Sequence, residues 1–204
     1  MSRTTSRKER KLGFRGAHFV VLATIVAFAS VLSIAAVPPA SYDDGGSTPY
    51  AKEPALAGTP VLGTSDANAL VGYGIQTPQS LASGISLQGI RVVKEVNLVY
   101  LIYGSKDLPP EPIYFSDLLS SGFWIFIQSP QSVTPEQTGA LIDQSVSDSR
   151  GSAVATEISG HAGFINMGDI NNHLVWWANG IHYELVTPLG AGSSAMIAFA
   201  NSVR

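Results

Sequence analysis

Three side chains near the C-terminal end could do chemistry together. His173, His182 and Glu184 are zinc-binding residue types close together in the chain. Asn179-Gly180 lies between the two histidines. This pair is preferred at the centre of a two-residue type I′ turn, where both positions need positive φ. The turn dictates a register. Ala178 faces Ile181, Trp176 faces Tyr183 and Leu174 faces Leu185 on one side of the hairpin. Trp177 faces His182, Val175 faces Glu184 and His173 faces Val186 on the other. In this register His173 lies four residues from Trp177, about 13 Å along the strand at ~3.3 Å per residue. Zinc ligands must converge within about 2.0–2.2 Å of one ion. The two histidines therefore cannot share a metal, and His182 with Glu184 supplies too few ligands. Neither a metal nor another cofactor is expected.

Nucleophilic chemistry has no better footing. The chain has no cysteine, which excludes disulfides, thiolate sites and lipid attachment through an N-terminal cysteine. Gly84-Ile85-Ser86-Leu87-Gln88-Gly89 has the wrong spacing for a G-x-S-x-G elbow. Asp107, Glu111, Asp117, Asp143 and Asp148 read as solvated loop and helix charges, and a catalytic carboxylate pair is defined by space rather than spacing. The chain reads as non-catalytic. On the mixed hairpin face, His173, Val175, Trp177, His182 and Glu184 form a candidate partner surface, with Trp177 as an exposed aromatic platform. The competing reading covers this face with a helix and makes Trp177 a second core layer.

The elements that position these residues follow from pattern. Ser65 or Asp66 can cap a short helix through Tyr73, with Ala67, Leu70 and Val71 on one side. Residues 85–93 and 96–103 are rich in β-branched and aromatic types and read as strands. Both faces of the second are apolar, which predicts a central strand covered on both sides. Residues 106–122 hold Pro109, Pro110 and Pro112 and read as a long loop that packs down through Ile113, Tyr114, Phe115, Leu118 and Leu119. Residues 123–128 form a buried strand. Thr134, Pro135 and Gln137 give a helix its cap, first-turn proline and capping box, with an end near Val146. Residues 153–158 form a strand, and Gly160-His161-Ala162-Gly163 a turn. Ser193 or Ser194 caps a last helix that offers Met196, Ile197, Ala200 and Val203 to the sheet.

The N-terminal part fixes location. Residues 1–16 hold six basic side chains and one acid, and the 21 residues 17–37 hold no charge. At ~1.5 Å per residue such a helix spans about 31 Å, close to the ~30 Å hydrocarbon core. The basic flank places the N-terminus in the cytoplasm. The expectation is a single-pass signal anchor, with the C-terminal domain extracytoplasmic. The rival is a signal peptide cleaved after Ser33-Ile34-Ala35, which would secrete the remainder. Residues 38–63 read as a Pro/Gly/Ser-rich linker, and residues 64–204 as an α+β domain. Beyond residue 37 there are 6 basic and 14 acidic groups. No basic stripe is available to neutralise phosphates, which argues against nucleic acid as a partner. The expected partners are the membrane, through the N-terminal helix, and a protein of the envelope. The sequence leaves the oligomeric state open.

The run Trp177-Ala178-Asn179-Gly180-Ile181-His182-Tyr183-Glu184-Leu185, followed by Ala200-Asn201-Ser202-Val203, resembles a W-x-x-G-x-x-Y-x-L hairpin and an A-x-S-(L/V) helix end. Both are found in a family of uncharacterised extracytoplasmic domains of prokaryotic single-pass membrane proteins. Some of that family are associated with anti-sigma-factor-like proteins, and the domains are distantly similar to lipoprotein carriers. The specific match covers the last 35 residues or so. The resemblance implies a curved antiparallel sheet with packed helices and brings no catalytic residues. The cytoplasmic part here, about 16 residues, is too short to bind a sigma factor. The reading is thus a membrane-tethered binding or sensing module of unknown ligand. The alternatives are a carrier of an apolar, lipid-like ligand and a hydrolase of envelope polymers.

Overall fold

Two antiparallel meanders join into one eight-stranded sheet. The computed structural model describes residues 53–149 and 151–204. The basic segment, the proposed membrane segment and most of the linker lie outside them. The first meander is β1 (Thr59–Val61), β2 (Ser86–Val93), β3 (Leu98–Gly104) and β4 (Trp124–Pro130). The second is β5 (Ala153–Ile158), β6 (His161–Met167), β7 (Asn171–Ala178) and β8 (Ile181–Pro188). The second meander folds back so that β8 lies beside β4, giving the order β1-β2-β3-β4-β8-β7-β6-β5. Among the described residues four α-helices complete an α+β domain: α1 (Thr64–Val71), α2 (Phe115–Ser120), α3 (Pro135–Asp148) and α4 (Ser193–Asn201). Among the described residues no helix is long and apolar enough to cross a membrane.

Strand composition decides which strands are central. Every residue of β3 is buried, and β4 is buried up to Pro130. A strand apolar on both faces needs cover on both, and the helices supply it. On one face Ala67 and Val71 of α1 and Met196, Phe199 and Ala200 of α4 pack on Leu101, Phe126, Leu174, Trp176, Tyr183 and Leu185. On the other, Leu118 and Leu119 of α2 pack with Leu56 and Ile113 on Tyr100, Ile125, Ile127 and Val186. Farther along that face Ile142 of α3 packs on Val175 and Trp177. The capping box at Thr134 and Gln137 is formed as the sequence dictates, with Pro135 in the first turn.

Several expectations need correction. The sheet begins inside the segment read as linker: β1 pairs with β2, and Leu56 is buried. The long loop contains α2, though it does pack down. The β5–β6 turn is Ser159-Gly160, and His161 to Gly163 belong to β6. Gly163 marks a close approach instead, since a Cβ there would lie 2.2 Å from the Val175 carbonyl oxygen. Glycines cap α1 and α4, at Gly63 and Gly192, rather than serine or aspartate side chains.

The hairpin register is the one that the turn dictates, pair for pair from Ala178↔Ile181 to His173↔Val186. Its second face is nonetheless covered. Trp176 is 3% exposed and Trp177 9%. The Trp177 ring packs with Phe164, and its Nε1 donates to Gln131 Oε1 at 2.8 Å. The exposed platform is therefore replaced by a second core layer. Trp176→Ala and Trp177→Ala are each expected to cost about 3–5 kcal/mol in a urea titration. A much smaller loss for Trp177 would return its ring to the surface.

Candidate functional site

The five residues singled out on the hairpin come together, but beneath helices. Val175, Trp177 and Glu184 are buried, and His173 and His182 are half-buried. Residues two apart on neighbouring strands are diagonal neighbours within reach of long side chains. His173 uses that reach: its Nδ1 lies 2.6 Å from Glu184 Oε1 and its Nε2 2.8 Å from Asn171 Oδ1. Both ring nitrogens thus face oxygens, so both protons of a charged ring would have acceptors. Trp177 and His182 lie with ring centroids 5.3 Å apart. Asn166 pairs with His173 across β6 and β7, and its buried Oδ1 has no hydrogen-bond partner. Among the described residues no group of three histidine or carboxylate side chains converges as metal ligands.

A buried carboxylate costs stability unless it is paired. Burial alone would push the Glu184 carboxyl up. The hydrogen bond from His173, with the charges of His173 and His182, brings it below the ordinary 4.5 instead. Burial pushes His182 down from 6.5, opposed by Glu184. Burial raises Tyr100, the Glu184 charge adds to this, and Arg91 opposes it. Arg91 is itself held by Glu111 and by the carbonyls of Ala57 and Gly58. These contacts tie the polar side chains of this face to one another and to the backbone.

A cleft lies on the opposite face, at the end of the sheet that carries both two-residue turns. A cleft of about 510 Å³ is floored there by Trp176, Tyr183, Ala178 and Ile181 of the hairpin. Ile158, Ser159 and His161 line it from β5, the turn and β6. Tyr73, Gly74 and Gln76 line it from the loop after α1, and Ala200, Val203 and Arg204 from the end of α4. Trp176 and Tyr183 stack in the floor, with ring centroids 5.0 Å apart and planes 11° apart. Tyr73 donates to the Gln128 carbonyl at 2.9 Å. Ser159 holds a left-handed backbone, φ 49°, and its N–H donates to Asn201 Oδ1 at 2.8 Å, tying the turn to the helix end. Its hydroxyl also donates to Asn201, not to His161. No carboxylate side chain lines the cleft. Burial raises both tyrosine hydroxyls, Tyr73 with a further push from Tyr183, so both are protonated donors at neutral pH.

Sequence reasoning missed this cleft. One signal was available: Ser159-Gly160 is a two-residue turn pair like Asn179-Gly180, and it puts His161 on a strand and Ser159 on a rim. Tyr73, Gln76 and Arg204 reach the cleft only through tertiary packing. No family model, curated protein or solved structure matches this chain.

The directions of the His182 and Glu184 shifts predict acid lability in two steps. Unfolded, His182 takes up a proton near pH 6.5 that its folded ring resists. Stability therefore falls as pH drops below 6.5, until the lower folded value is reached. Glu184 contributes stability above pH 4.5 that is lost as pH falls through its lower folded value. Urea midpoints measured from pH 8 to pH 3 should decline in both ranges. His182→Gln should flatten the upper step, and Glu184→Gln should remove the lower one along with much of the stability. Equal midpoints at pH 7.5 and pH 5 would contradict the lowered titration of His182.

Proposed function

We propose that this protein is a non-catalytic binding or sensing module, held outside the cell membrane by a single N-terminal transmembrane helix. Its ligand sits in the cleft between the two turns. The observation that carries this reading is a cleft of ligand size, about 510 Å³, whose walls are tied by hydrogen bonds to the sheet and to the end of α4. Pockets of ~300–1,000 Å³ with a few placed polar groups on an apolar floor are the usual form of small-ligand sites. The Trp176–Tyr183 stack supplies the floor. Tyr73, Gln76, Ser159, His161 and Arg204 supply the polar groups.

Binding is favoured over catalysis because the polar groups do not pair as nucleophile and base: the Ser159 hydroxyl is committed to Asn201. An acyl chain is disfavoured as ligand because polar groups share the lining. A compact polar ligand with a flat or apolar side fits better, and a lining without acidic side chains admits an anionic one. The curved sheet and single-pass anchor belong to the same reading. They rest on the hairpin resemblance, the six basic residues of 1–16 and the uncharged run of 17–37.

Two experiments test the parts separately. In right-side-out vesicles, added protease should digest the domain beyond residue 37 while the chain stays membrane-bound until cut; a mature N-terminus at Ala36 would instead show secretion. For the cleft, thermal shift of the full chain in detergent should identify binders from a panel of sugars, nucleotides, amino acids and organic acids. Ala178→Trp, which fills the floor, should abolish each shift with folding retained by circular dichroism. Hits that persist in Ala178→Trp would place the ligand elsewhere.

A further inference from the structure

Among the described residues the sheet has two edges with no further strand, and they are built differently. β1 has three residues and carries Pro60; shortness and proline are both devices that blunt an edge. β5 has six residues, no proline and one charge, Glu157. Its side chains from Val154 to Glu157 are exposed or half-buried.

The turn decides which backbone groups of β5 are free. A two-residue turn makes its closing pair, Ile158↔His161, a hydrogen-bonded pair. Thr156 and Val154 then also bond inward to β6, and Ala155 and Glu157 aim their N–H and C=O outward. The donors just beyond this window are occupied: the Ala153 N–H donates to Ser149 Oγ at 3.0 Å and the Ser159 N–H to Asn201 Oδ1 at 2.8 Å. The free edge is thus a short window, stoppered at both ends. A long foreign strand would meet blocked donors on either side. An antiparallel pairing about a two-fold axis at Thr156 uses the window alone. It sets Ala155 against Glu157 of the second copy, Val154 against Ile158 of the second copy, and Thr156 against itself. No like charges face each other directly, and side chains stay on the faces that α3 and α4 already cover.

We propose that two copies of this chain pair edge to edge through β5, in an isologous dimer with a continuous sheet. This does not depend on a ligand in the cleft. Because the chain has no cysteine, a single introduced thiol reports the register cleanly. Opposed residues of a non-hydrogen-bonded antiparallel pair have Cα atoms about 4.5 Å apart, within the disulfide range. With full-length protein in nanodiscs and a mild oxidant, Thr156→Cys should form a disulfide-linked dimer rapidly. Glu157→Cys, set diagonally from its own mate, and the helix-surface control Gln144→Cys should link far more slowly. Ala155→Glu would oppose Glu157 of the other copy at both symmetric positions and should weaken dimerisation roughly tenfold in analytical ultracentrifugation. Ala155→Lys should strengthen it. Both substitutions are on an exposed edge and should leave circular dichroism unchanged. Equal crosslinking at 156, 157 and 144, or a wild-type protein that sediments as a monomer at tens of micromolar, would overturn the proposal. So would equal effects of Ala155→Glu and Ala155→Lys.

Discussion

The type I′ turn at Asn179-Gly180 fixes the face that each residue of β7 and β8 occupies, and the domain is organised around that choice. Trp176 and Tyr183 stack on one side and extend to Phe126 of β4, with centroids 5.7 and 5.9 Å from its ring. Glu184 and His173 meet on the other. A slip of one residue would drive Glu184 into the aromatic cluster and the two tyrosine and tryptophan rings under α3. Stranding a buried charge costs about 3–5 kcal/mol, a large share of the ~5–15 kcal/mol that holds a domain together. The polar network thus opposes slippage on the face where packing alone discriminates least.

Much of this was legible because the signals are local. The register of the hairpin needs only Asn-Gly and a period of two. The start of α3 needs only Thr134, Pro135 and Gln137. The double burial of β3 is written in seven consecutive residues. What failed was long-range. The mixed composition of His173, Val175, Trp177, His182 and Glu184 looks like an exposed face, since nothing in those residues says that α3 packs on Val175 and Trp177. Gly163 resembles a turn residue when its role is to let β7 approach. β1 is three residues set among prolines and glycines, and its strand character comes from β2.

The cleft was illegible for the same reason. Its floor comes from β7 and β8, its rims from two turns, and its walls from segments more than a hundred residues apart, Tyr73 and Arg204. Thr77 and Arg204 exchange backbone hydrogen bonds, both at 3.1 Å, so the walls are laced to each other as well as to the sheet. A site assembled this way inherits the rigidity of the sheet without belonging to any one motif.

Gln128 makes that lacing unusual. It sits fully buried in β4, and its side-chain amide accepts from the Gln76 N–H at 2.9 Å and donates to the Gln76 carbonyl at 2.6 Å. A carboxamide presenting one acceptor and one donor to a peptide unit imitates a neighbouring strand. The loop that walls the cleft therefore receives a rung of ladder bonding that rises from the face of the sheet rather than from its margin. Neither glutamate nor leucine could serve in its place. The first would turn a second oxygen toward the Gln76 carbonyl, and the second would leave both peptide groups unanswered. One amide thus works as a weld between layers, joining a polar loop to the driest part of the core with no extra strand to leave open.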